Sequence, residues 1–159
     1  MRKFALLFFY IFPCVLLRAQ HSIESINDIV WEKQSENASA SMPCGGGDIG
    51  MNVWVEKGAL YIYVARNGNF DENNALLKTG RIKIRLSPNI LNGSFFKQQL
   101  HVKNGYVTVN GEENGTRSTI TIWADVFNPV VHIDVKSSKK IRVDATYENW
   151  RYQDRASKP

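Results

Sequence analysis

The sequence predicts an all-β fold, an antiparallel β-sandwich, and three observations carry that expectation. Apolar and polar residues alternate with a period of two through most of the chain beyond its first twenty residues. Turn-forming residues interrupt these runs at a spacing of roughly eight to twelve, as they do in sandwiches and barrels. Helical character is confined to one short segment, Asp71 to Lys78.

Each element follows from its own residues. In RIKIRL, Ile82, Ile84 and Leu86 share one face and Arg81, Lys83 and Arg85 the other. Ser118 to Val126 places Ile120, Ile122, Ala124 and Val126 opposite Thr119, Thr121, Trp123 and Asp125. Phe96 to Val102, Val130 to Val135 and Ile141 to Tyr147 repeat the pattern. One face suits a core and one suits water, which is the signature of antiparallel sheets. Glu56-Lys57-Gly58-Ala59 separates NVWV from LYIYV and reads as a hairpin with glycine where positive φ is required. Asn104-Gly105 reads as a second hairpin, while Asn128-Pro129 and Pro88 end the strands before them. Asp71 to Lys78 begins with acids, ends with Lys78 and is followed by Gly80, so it predicts one or two turns of helix in a connection.

The N-terminus, MRKFALLFFYIFPCVLLRAQ, has the layout of a secretory signal peptide over residues 1–19. Arg2 and Lys3 precede an apolar stretch, Phe4 to Leu17, that is short for a membrane span. Cleavage is expected between Ala19 and Gln20, giving an exported chain, periplasmic or secreted, with no membrane attachment; an uncleaved anchor is the alternative. Pro13 before Cys14 argues against a lipoprotein signal. The whole chain carries 20 Lys and Arg against 15 Asp and Glu. Loss of Arg2, Lys3 and Arg18 with the signal leaves 17 against 15, a net charge of +2. So small an excess, without a basic stripe, excludes nucleic acid as an expected partner. Cleavage also leaves Cys44 alone, so no internal disulfide is available. His101 and His132 lie on separate predicted strands, and Cys44 is expected to be a small buried thiol beside a tight turn. Metal sites are not expected, because no His, Cys or carboxylate spacing fits zinc and no acidic loop fits calcium, and no cofactor is expected.

Four features bear on function. Gly45-Gly46-Gly47-Asp48-Ile49-Gly50 precedes a strand, whereas phosphate and dinucleotide loops open a helix. The run is therefore expected to shape the backbone, with Asp48 bonding to turn amides. The segment ARNGNFDENN gathers Arg66, Asn67, Asn69, Phe70, Asp71 and Glu72 after a strand, in the composition that sugar hydroxyls need. Its other reading is a capped loop with Arg66 paired to Asp71. Adjacent Asp71 and Glu72 are poor candidates for the two carboxyls of a glycosidase, which sit about 5 to 9.5 Å apart across the bond. Trp54 and Trp123 fall on the polar-looking sides of their strands, where an indole requires either a stacked ligand or covering protein. Asn37, Asn92 and Asn114 head Asn-x-Ser/Thr triplets, two of them plain Asn-Gly turns, and no glycosylation is expected.

In order and spacing, WEKQSENASASMPCGGGDIGMNVWVE, LYIYVARNGNFDENNALLKTGRIKIRLSPN, IWADVFNPVVHIDV and YENWRYQDR resemble the N-terminal domain of the Bacteroidetes domain-of-unknown-function family 5703. The resemblance covers nearly the whole chain after the signal. It implies a supersandwich-like N-terminal domain of a large secreted glycoside hydrolase, distantly similar to the α-L-fucosidases of glycoside hydrolase family 95. It places an (α/α)6 barrel with the catalytic carboxylates beyond Pro159, so no catalytic residue is carried over. Pro43 to Gly50 is the counterpart of a Pro-x-Gly-Asn-Gly-x-x-Gly stretch in that wider group, with Gly46 in place of its asparagine. The expected domain is thus a β-sandwich over residues 20–159, incomplete at its C-terminus, that orients a catalytic barrel acting on polysaccharide. Trp54, Arg66, Asn67, Asp71, Glu72 and Trp123 are its expected carbohydrate or domain-interface contacts. A stand-alone carbohydrate-binding module and a structural interaction domain are the alternatives.

Overall fold

The structure, a computed structural model, describes residues 27–150. The signal peptide expected over residues 1–19 lies outside them. Ten strands form two five-stranded sheets that pack as a sandwich. Sheet A runs β1 (Ile29–Trp31), β6 (Phe95–His101), β7 (Tyr106–Glu113), β8 (Thr116–Ala124), β9 (Val131–Ser137). Sheet B runs β10 (Arg142–Glu148), β5 (Leu76–Ser87), β4 (Ala59–Phe70), β3 (Ile49–Glu56), β2 (Met42–Gly46). Every pairing is antiparallel. The all-β expectation holds.

Local chemistry fixes the register. Lys57 and Gly58 both adopt positive φ between Glu56 and its partner Ala59, so β3 and β4 meet through a two-residue hairpin of the twist-compatible kind. Asn114 and Gly115 do the same between Glu113 and Thr116. At the other end of β7, the N–H groups of Asn104 and Gly105 both donate to His101 O and close the turn that joins β6 to β7. These turns put Ile120 and Ile122 opposite Val109 and Val107 on the inner face of sheet A. Val53, Val55, Leu60, Ile62, Ile84 and Leu86 supply the inner face of sheet B, and all of these side chains are buried. Burial of each is worth roughly 1.5–3 kcal/mol relative to exposure, so this layer is the main adhesive.

Gln98 sits in the same inner layer at 1% exposure, where alternation alone would want an apolar residue. Its Nε2 donates to Val53 O across the two sheets at 3.0 Å, which satisfies the amide. Val126, expected on the core face of its strand, lies beyond the end of β8 and is exposed.

One element differs outright from expectation. Residues 71–78 are not helical: β4 continues to Phe70, Asp71 to Ala75 form the turn, and β5 starts at Leu76. Asp71 Oδ1 accepts from the N–H groups of Asn73 and Ala75, and Asn74 takes φ +60°. The acid that suited a helix start serves an Asx turn equally well. Two long strands outcompete a two-turn helix that has no tertiary face to bury.

Along β10 the sandwich is open. Val143, Ala145 and Tyr147 pair with Leu86, Ile84 and Ile82, so they share the core-facing side of sheet B. Ile84 and Leu86 are buried, yet Val143 is 42% and Tyr147 57% exposed. An inward-facing row thus stands without a cover.

Candidate functional site

The glycine run divides between two tasks. Gly45 and Gly46 belong to β2, and the turn into β3 is made at Gly47 and Asp48. A Cβ on Gly46 would sit 2.8 Å from Ala124 O, and one on Gly47 2.7 Å from Val126 O. Gly47 also has φ +59°. The run therefore lets the edge of sheet B meet the end of β8 backbone to backbone, as a shaping role requires. Cys44 Sγ donates to Gly105 O at 3.0 Å, and its burial pushes the thiol pKa up. The Asp48 carboxylate receives Arg66 Nε at 2.8 Å, and this bond, with a smaller contribution from its own turn N–H, holds it below the usual carboxylate range.

Arg66 accordingly pairs with Asp48 and not with Asp71. Arg66, Asn67, Asn69 and Thr79 line a shallow polar cavity of about 350 Å³ beside the β4–β5 hairpin. Asn67 N–H donates to Asp48 O at 2.7 Å, and Asn69 Nδ2 donates to Leu77 O. Asp71 is engaged in its own turn, and Glu72 is exposed at the tip.

Trp54 lies on the outer face of sheet B, as alternation predicts, but it is only 1% exposed. Tyr61 stacks on it at 5.2 Å and Tyr63 meets it edge-on at 4.5 Å, while Nε1 donates to Glu56 Oε2. Trp150 extends the cluster through Tyr63. Arg81, 4.7 Å from the Tyr61 centroid, is tied to Glu148 by two hydrogen bonds. The indole is covered by this chain's own aromatics. Trp54 is on the outer side by alternation, and the Lys57-Gly58 hairpin sets Tyr61 directly opposite it.

The outer face of sheet A carries the most organised constellation. His101, Tyr106, Trp123 and His132 are direct cross-strand partners on β6, β7, β8 and β9, forming one row of four rings. His101 stacks on Tyr106 at 4.2 Å, and His132 stacks on Trp123 at 4.8 Å with planes 9° apart. A carboxylate braces each end. Asp28 Oδ2 lies 3.0 Å from His101 Nδ1, and Asp125 Oδ2 lies 4.0 Å from His132 Nε2. Asp28 is held below its ordinary pKa chiefly by the amide of Gln99, and Asp125 by the N–H of Phe127. Beside the row, a cavity of about 490 Å³ is lined by Tyr106, Trp123, Thr121, Asn104, Lys103 and Gly45, among others. Sequence reasoning singled out Trp123 and Gly45 but set the histidines aside as residues of separate strands. Registering the strands by their turns would have aligned all four rings.

Among the described residues no cluster of three or more His, Cys, Asp or Glu could hold a metal ion. No helix among them is long and apolar enough to cross a membrane.

The class is thus a two-sheet antiparallel sandwich with an aromatic row on one outer face and an uncovered inner edge on the other sheet. Residues 30–159 match the N-terminal domain of the family described as Domain of unknown function (DUF5703), and the chain belongs to that family. This agrees with the resemblance found in its residues. No curated protein matches the chain.

Proposed function

We propose that this chain is the non-catalytic N-terminal β-sandwich of an exported glycoside hydrolase-like protein, and that it packs on and orients an (α/α)6 catalytic barrel in polysaccharide degradation. The observation that carries the reading is the row Val143, Ala145 and Tyr147, which continues the core face of sheet B yet stays exposed. Apolar side chains in register with a core lower the free energy only when covered. The occupant is further polypeptide of the same gene product, in keeping with the resemblance to family 95-like hydrolases. The expected location is the periplasm or the exterior, and the substrate is carbohydrate met through the barrel.

The test is to read the coding DNA past Pro159 for a continuing frame with helical repeats, and to co-express that segment with this chain. A stable one-to-one complex lost on Val143→Glu supports the proposal. A chain that gains no partner, and whose behaviour Val143→Glu leaves unchanged, contradicts it.

A further inference from the structure

We infer that the cavity walled by Tyr106 and Trp123, which runs past the β6–β7 turn and the end of β8 to the β2 edge, is a binding site for a neutral pyranose unit of a glycan. The inference stands on sheet A and does not rest on the uncovered edge at β10. Tyr106 and Trp123 each stack on a histidine, and both line the cavity. The two rings belong to directly paired residues and contribute to one cavity of about 490 Å³. That volume falls within the roughly 300–1,000 Å³ usual for small-ligand sites.

Chemistry selects the ligand class. A pyranose presents apolar C–H faces, which suit the electron-rich faces of aromatic rings, and hydroxyls at its rim, which need short polar groups. Here the aromatic walls come from Tyr106 and Trp123, while Thr121 and Asn104 supply a hydroxyl and an amide. No carboxylate lines the cavity and Lys103 is its one lining residue of a charged type, the rest being apolar or neutral polar, so a neutral ligand fits better than a charged one. The side chains are also pre-positioned. Asp125 accepts from Phe127 N–H at 2.7 Å and Asn128 N–H at 3.1 Å, which fixes the carboxylate behind His132. Asp28 accepts from Gln99 Nε2 at 2.8 Å and holds His101 behind Tyr106. Docking a ligand against rings that are already braced costs less side-chain freedom.

The test is a calorimetric and fluorescence titration of the whole chain against neutral gluco-, galacto-, xylo- and fuco-oligosaccharides. Trp123→Ala, Tyr106→Ala and Thr121→Val are compared with Arg117→Ala, an exposed residue on another part of β8. Saturable binding that falls about tenfold or more in the Trp123 and Tyr106 variants, and is unchanged in Arg117→Ala, is the expected result. Thr121→Val keeps both rings and reports on the site even if a ring variant fails to fold. The inference is overturned if no neutral oligosaccharide binds, if folded Trp123→Ala binds like the native chain, or if only charged ligands bind. None of these outcomes depends on whether a barrel packs at β10.

Discussion

Replacing Gly47 by alanine should destabilise the domain, while the same change at Gly50, three residues away, should not. At Gly47 two costs add. Holding a Cβ-bearing residue at φ +59° costs about 1–2 kcal/mol. The new Cβ would lie 2.7 Å from Val126 O, a backbone atom that moves only with its loop, and such overpacking costs about 1–3 kcal/mol. Together they give about 3 kcal/mol, or a melting temperature lower by roughly 10 °C for a domain of this size. At Gly50 nothing lies within 4 Å of the added carbon and φ is not positive. Alanine there removes strand-glycine entropy and is neutral to about 1 kcal/mol stabilising. Thermal melts followed by circular dichroism, with and without phosphate, decide the matter. Equal effects at the two positions would refute the close-approach argument. A Gly47→Ala penalty that appears only when phosphate is present would restore the anion-loop reading.

Other outcomes follow from the same geometry. Gln98→Ala removes the bond to Val53 O and leaves a void between the sheets, so urea unfolding should show a loss of about 2–3 kcal/mol, and Gln98→Glu should cost more by burying a charge. Asp28, Asp48 and Asp125 have folded pKa values below their unfolded ones. The stability they contribute is therefore fully present above about pH 4 and is lost as pH falls through the folded values. Melting temperature should decline below about pH 4, with a shallower slope in Asp125→Ala; an unchanged slope would remove Asp125 from the account. Cys44, its thiol pKa raised by burial, should react with a disulfide reagent at pH 8 about tenfold more slowly in the folded chain than in urea, and equal rates would contradict its burial.

Much of the fold was legible because it rests on short-range chemistry. Lys57-Gly58 forms the expected positive-φ hairpin, and the alternation of Ile82, Ile84 and Leu86 against arginine and lysine correctly picked the core side of β5. The failures have a common cause, which is that a one-dimensional pattern contains no neighbours. Asp71 satisfies a helix start and an Asx turn alike, and only the pairing of Phe70 with Leu76 selects the turn. Arg66 is as close in sequence to Asp71 as a salt bridge requires, yet the β3–β4 pairing brings Asp48 to it first. Trp54 was placed on the correct side, but its cover depends on Tyr61 and Tyr63 arriving across the ladder from β4. The aromatic row needs four strands in register before it exists. No local window contains it.

Hydrogen exchange along β10 probes the uncovered core edge most directly. In this chain alone, the β10 amides bonded to β5 should exchange about tenfold or more faster than those of β4, because Val143, Ala145 and Tyr147 lack burial on their inward side. Under the proposed function, adding the barrel partner should slow β10 to the rate of β4. Amides in β10 already as protected as those in β4, with no change on addition, would show that the edge needs no cover.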